Sequence, residues 1–213
     1  MTIIYSHKTL KDREPSDFYP TPYELCREAL LAVDILSYSN EGIIQAALDV
    51  GAGDGVWGQA LKDITTSVYL TGIDVRPEAK FQDLLSLPVE GSKVYDESII
   101  QDFLKYDGKH DLIFGNIPFR HANEFISHSL NLLTEKGIIV YLLQSAISES
   151  KKRYDLFFNN GHKPKYIYQS VRRISFTGNK KSDNTAYSIF VWEKDKKERE
   201  TINRWLDWNY EKT

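Results

Sequence analysis

The stretch "LDVGAGDG", Leu48 to Gly55, decides the fold. Leu48, Asp49 and Val50 close a short apolar run, and a helix-period pattern opens at Trp57. Between them Gly51, Gly53 and Gly55 let the backbone turn tightly and come close to a ligand. A strand that ends in such a loop and feeds a helix is the opening unit of a doubly wound α/β sheet, where ligands bind outside the carboxyl ends of the strands. The next apolar run ends on Asp74 in "TGIDV", where such sheets set an acid against ribose hydroxyls.

The loop admits two kinds of ligand. A dinucleotide calls for G-x-G-x-x-G, with a helix N-terminus aimed at the pyrophosphate. Here the pattern is G-x-G-x-G, with acids at Asp49 and Asp54, and negative charge suits a pyrophosphate poorly. It suits the ammonium group of a ligand carrying an amino acid, such as S-adenosylmethionine. A tight packing turn would also use these glycines; the acid at Asp74 argues against so plain a role.

Outward from the loop, apolar runs and helical patterns alternate. Strands are predicted over 46–50, 69–74, 93–95, 110–114, 137–143, 166–170 and 185–192, and helices over 57–63, 77–87, 121–133, 146–159 and 195–208. This alternation predicts a mostly parallel, seven-stranded, doubly wound sheet covered on both faces. Residues 171–184 are too loop-like for a helical crossover, so the final strand should return antiparallel. Thr21-Pro22-Tyr23-Glu24 reads as a capping box that starts a further helix. A single domain over 1–213 is expected, with a polar lead-in over 1–20 and a C-terminal helix within 195–213 docking on the sheet.

A second stretch asks for chemistry. In "FGNIPF", Phe114 to Phe119, a buried run ends in an amide, a stiff turn and an aromatic ring. A surface turn would use Asn-Gly or Asp-Gly. The side-chain oxygen of Asn116 and the carbonyl of Ile117 could accept the two hydrogens of a planar amine, with Pro118 stiffening the turn and Phe119 stacking on the ring.

Together these segments resemble the class I S-adenosylmethionine-dependent methyltransferases, and among them the small phage-type N6-adenine DNA methyltransferases. "DVGAGDG" and "GIDV" resemble the first two cofactor motifs, "QDFL" (Gln101 to Leu104) the third, and "NIPF" the catalytic (Asn/Asp)-Pro-Pro-(Phe/Tyr) motif. "DFYPTP" (Asp17 to Pro22) resembles the N-terminal cofactor motif, and "RISFTGNKKSDNTAYSIFVW" (Arg173 to Trp192) the C-terminal block. The matches run in order over most of the chain. The resemblance implies a Rossmann-like methyltransferase fold, with S-adenosylmethionine held by Tyr19, Thr21, Asp49, Gly51, Gly53, Asp74 and Asp102. It further implies methyl transfer to adenine N6 in DNA by Asn116, Ile117, Pro118 and Phe119. The one departure is Ile117, where the family carries proline.

A base inside a duplex cannot reach such a turn, so the target is expected flipped out or single-stranded. Phe176 is the candidate second aromatic wall, and Arg172, Arg173, Lys180 and Lys181 the candidate substrate contacts. Other planar nitrogens (cytosine N4, RNA adenine, a protein glutamine amide) would fit the same grip. The alternative of a different class is a cofactor- or nucleic-acid-binding subunit that has lost catalysis and serves an active partner enzyme.

The bulk numbers fit this reading. Net charge is −3 over 213 residues, yet 151–181 holds nine Lys and Arg against one Asp. Such polarity points to a polyanion approaching one face, or to solvated helix and loop faces. The single cysteine, Cys26, permits no intramolecular disulfide and lies in a helical pattern away from the fourth strand, which excludes a cytosine-C5 mechanism. No metal-ligand spacing, signal peptide or membrane span is present in the pattern, so a cytoplasmic, metal-independent enzyme is expected. The chain has little room for a separate target-recognition domain, which leaves that role to loose specificity or to a protein partner.

Overall fold

A computed structural model describes residues 20–84, 91–159, 162–176, 185–194 and 200–208. One eight-stranded sheet runs through it: β1 (Ala46–Val50), β2 (Tyr69–Asp74), β3 (Glu97–Ile100), β4 (His110–Gly115), β5 (Leu133–Gln144), β6 (Tyr166–Ser170), β7 (Tyr187–Glu193) and β8 (Ile202–Leu206). The spatial order is β3-β2-β1-β4-β5-β7-β6-β8. Strands β1 to β5 pair in parallel, β7 is antiparallel to both neighbours, and β8 joins β6 in parallel. The fold is the expected mixed α/β sheet with a reversed strand near its end, extended by one strand.

Both faces of the central strands are buried, which is why those strands read as continuous apolar runs. Ile138, Val140 and Leu142 of β5 enter one core, and Ile139, Tyr141 and Leu143 the other, as the period of two requires. Helices α1 (Tyr23–Ala32), α2 (Ile35–Asn40) and α3 (Val56–Ile64) contribute to the first core and α4 (Ala122–Leu132) to the second.

Register sets the functional edge. Asp49 lies opposite Gly72 on β2 and Phe114 on β4, and Asp74 opposite Ile100 on β3. The loops after β1, β2, β3 and β4 therefore leave the sheet side by side. Gly115 lets β4 end there: at φ +143° a Cβ would stand 2.5 Å from the Val50 carbonyl oxygen.

Several expectations are corrected. The ladder with β2 is made by 97–100, whereas Val94 and Tyr95 pack into the core, so the apolar signal at 93–95 marked packing. Within 77–87 the described helix is one 3₁₀ turn, Lys80–Asp83. The helix expected over 146–159 breaks into a 3₁₀ turn (Ser145–Ser148), α5 (Lys151–Tyr154) and a π turn (Asp155–Asn159). The break falls at Ser150, whose φ is +127° and whose hydroxyl caps the Arg153 N–H.

No capping box forms at the start of α1. The cap position is Pro22, without a side-chain bond, and Thr21 has another use. The predicted C-terminal helix gives way to β8, because the open edge of β6 offers a full ladder from Tyr166 to Ser170. Leu206 and Trp208 then point inward, and Trp205 is left 70% exposed. Among the described residues no helix is long and apolar enough to cross a membrane.

Candidate methyl-transfer site

A cavity of about 380 Å³ opens at the functional edge. Its floor is the glycine loop. Gly51, Gly53 and Gly55 all adopt positive φ (70°, 58° and 79°), a conformation that side-chain-bearing residues avoid. Gly51 and Gly53 line the cavity, whereas Gly55 packs toward Phe81, Leu84 and Tyr95. Asp54, Asp74 and Asp102 place three carboxylates on its wall, and Val75, Phe103, Leu104 and Phe125 an apolar slot beside them. Asn116, Pro118 and Thr21 border it from the β4 side.

Each acid is held by its own element. Asp74 ends β2; its Oδ2 accepts from Gly53 N at 2.9 Å, and its carboxylate pairs with Arg76. Asp102 caps the 3₁₀ turn Phe103–Lys105, its Oδ1 accepting from Leu104 N at 3.1 Å. Phe103 of that turn packs on Phe125 of α4 with ring centroids 5.0 Å apart, which fixes one wall of the slot.

Asp49, expected among the ligand contacts, lies beneath the cavity. It is fully buried, and its Oδ2 accepts from the Tyr95 hydroxyl at 2.6 Å and from Gly58 N at 3.1 Å. Burial pushes its carboxyl up to about 7, more than those two hydrogen bonds pull it down. Asp49 thus shapes the loop by tying β1 to α3 and to the segment before β3.

The turn after β4 is built from distant parts. The Asn116 Nδ2 donates to Thr21 Oγ1 at 3.1 Å, across 95 residues of sequence. That bond orients the amide, with Oδ1 as the acceptor end. The Ile117 side chain is buried in the core beneath the turn (1% exposed), among residues such as Val50, Ile113 and Ala122. The residue that departs from the proline pattern thus faces away from the cavity, and its size serves packing.

Phe119 is not on the cavity wall. It packs against Tyr187 at 5.4 Å, and Phe176 meets the same Tyr187 edge-on at 4.9 Å. Phe176, expected as a base-facing wall, is buried on this tyrosine. Arg172 and Arg173 are exposed beyond β6, with Arg172 Nε 3.3 Å from Asp207. Tyr19, Lys180 and Lys181 lie outside the described residues.

Reasoning from sequence missed Trp57, Arg76, Arg120, His121 and Phe125 on the wall. Arg120 and His121 directly follow "NIPF", and Arg76 follows "GIDV", so adjacency to a motif was the available signal. Among the described residues no three His, Cys, Asp or Glu side chains are grouped to hold a metal ion.

No protein-family model matches the sequence, and no curated protein does. Solved structures do match. A protein of Pyrococcus horikoshii described as an RNA methyltransferase superposes with a TM-score of 0.63 at 18% identity, over 88% of this chain and 92% of that one. A Listeria monocytogenes protein described as a class I S-adenosylmethionine-dependent methyltransferase gives 0.64 at 15%, over 88% and 65%. The magnesium protoporphyrin IX methyltransferase of Synechocystis, solved with bound S-adenosylhomocysteine, gives 0.54 at 12%, over 78% and 83%. At such identities the likeness is one of fold. The chain has the Rossmann-like fold of the class I methyltransferases.

Proposed function

We propose that this chain transfers a methyl group from S-adenosylmethionine to the exocyclic N6 amine of adenine in DNA. The observation that carries the reading is the Asn116 amide, oriented by Thr21 at the cavity wall directly beside the glycine loop. The cavity fits the cofactor. Its volume suits a nucleoside-sized ligand, its three carboxylates suit a cationic amino acid and a ribose, and its apolar slot suits a flat base. Asp74 and Asp102 would hold the adenosine part, and Gly51, Gly53 and Asp54 the amino-acid part, beside Thr21.

S-adenosylmethionine supplies an electrophilic methyl group on a sulfonium, so the protein needs no covalent nucleophile. Its residues act by positioning, a large source of acceleration in its own right. Asn116 Oδ1 and the Ile117 carbonyl would accept the two amine hydrogens and favour a pyramidal, more nucleophilic nitrogen. Pro118 stiffens that turn, while Phe119, packed on Tyr187 behind it, would have to turn toward the cavity to stack on the base.

The charge distribution supports a nucleic-acid acceptor. Strands β5 and β6 run in the same sense as β4, so Lys151, Lys152 and Arg153 after β5 and Arg172 and Arg173 after β6 follow strands that end at the edge of the sheet where the cavity opens. Lys163 and Lys165 are at the opposite edge, where Lys165 pairs with Glu193. The basic stretch is thus divided, and its larger described part lies at the same edge of the sheet as the cavity. The likeness to a protein described as an RNA methyltransferase keeps RNA adenine as a second acceptor.

The test is incubation of the purified chain with methyl-labelled cofactor and unmodified single- and double-stranded DNA, followed by nucleoside mass spectrometry. Label in N6-methyladenine, lost in Asn116→Ala while cofactor binding persists, is the expected result. Label in N4-methylcytosine would keep the mechanism and change the base. No label in DNA, with label in RNA, would move the acceptor to RNA.

A further inference from the structure

The carboxylate of Asp74, only 5% exposed, already carries four N–H donors. Its Oδ1 accepts from Arg76 N at 2.9 Å and Arg76 Nε at 3.1 Å; its Oδ2 accepts from Gly53 N at 2.9 Å and Arg76 Nη2 at 3.1 Å. A carboxylate offers about four lone-pair sites, so hydroxyl groups can bind Asp74 only by exchange. Two of the donors are main-chain groups fixed by the loops. The other two belong to the guanidinium of Arg76, a residue on the cavity wall whose long side chain can swing away.

We infer that Arg76 is a specificity-determining residue: its guanidinium holds the Asp74 carboxylate and yields it to a vicinal ribose diol, so the slot beside Asp74 admits ribo-adenosine ligands and refuses 2′-deoxyadenosine. The inference rests on the proposed function above. Two hydroxyls replace two guanidinium N–H groups one for one. A 2′-deoxy sugar returns a single hydroxyl and leaves one position on a buried carboxylate short of a donor, which is costly.

The exchange solves a problem the reaction creates. Cofactor and target both present adenine to one crevice, and an apolar slot cannot tell two identical bases apart. The sugars differ by one hydroxyl, and a site built to hydrogen-bond that hydroxyl rejects the analogue lacking it far better than a packing contact could. Arg76 raises the penalty, because a deoxy ligand would have to break a bidentate charged pair and replace only one of its two hydrogen bonds.

The experiment is calorimetric binding of S-adenosylhomocysteine and its 2′-deoxy analogue to wild type, Arg76→Ala and Arg76→Lys, with thermal melts to verify folding. Wild type should prefer the ribo ligand by about tenfold or more, the equivalent of one lost charged hydrogen bond. Arg76→Ala should bind the deoxy analogue more tightly than wild type does, since water can then satisfy Asp74, and the preference should narrow. Arg76→Lys, charged but not bidentate, should fall between. Equal weakening of both ligands in Arg76→Ala would make Arg76 an ordinary ligand contact and overturn the inference, as would an unchanged preference. Failure of wild type to bind S-adenosylhomocysteine at all would instead sink the cofactor assignment, and the inference with it.

Discussion

Thr21 shows how one residue can satisfy a local rule and obey a distant one. By sequence it is an N-cap; in the fold its hydroxyl takes the Asn116 amide and leaves α1 capped by backbone alone. Ile117 is a similar case. Read along the motif it is a missing proline, whereas in space it fills the core under the turn. Restoring the motif with Ile117→Pro should therefore cost about 1–3 kcal/mol through lost core volume, read as a lower denaturant midpoint. A variant as stable as wild type would show that the core does not need the isoleucine. Asp49 makes a prediction about pH. Its carboxyl rises from an ordinary 3.8 to about 7 on folding, so the folded chain keeps a proton that the unfolded chain releases. Its contribution to stability is whole below about pH 4 and is lost as pH climbs through about 7. Asp49→Asn keeps the acceptor for Tyr95 and Gly58 but cannot ionise, so it should flatten this decline in a series of thermal melts from about pH 4 to about pH 8. Equal slopes in the two proteins would assign the decline to other groups.

Elements were legible where periodicity and burial agreed. Strands β1 and β2 begin and end where their apolar runs do, since a strand buried on both faces has a continuous signature. Strand β6 keeps its expected bounds too, although only Tyr168 of it is buried. Strand β3 has none, because it is a short edge strand with exposed side chains. Strand β8 was hidden for another reason: residues 202, 205, 206 and 208 match a helical stripe, and only the unpaired edge of β6 selects the extended form. Its anchor is Trp208, 1% exposed, whose Nε1 donates to Ser170 Oγ at 2.7 Å. Trp208→Ala should cost about 3–5 kcal/mol and raise hydrogen exchange first along β8 and β6. Uniform exchange across the sheet would mean that β8 is not a separable unit.

At the scale of the whole molecule, a net negative chain gathers cations after two strands that end at the same edge of the sheet as its cavity. Five cations at that edge come from two separate connections, after β5 and after β6, brought together because those strands run in the same sense. If they neutralise phosphates, replacing Arg172 and Arg173 with alanine should lower the slope of log affinity against log salt by about 1.4 for single strands and about 1.8 for duplex. The measurement is fluorescence anisotropy with labelled oligonucleotides at several salt concentrations. An unchanged slope would remove these two arginines from the interface.

What the sequence determined by itself was the local code: apolar runs long enough for buried strands, three glycines that only a tight turn needs, acids at strand ends, and an amide-proline turn after β4. These are written within a few residues of one another, so spacing and residue type suffice to read them. What only the tertiary structure decided was which donor meets which acceptor. Thr21 reaches Asn116 across 95 residues, and Tyr95 reaches Asp49 across 46. Buried polar groups must find partners wherever the folded chain supplies them, and no local periodicity records where that will be.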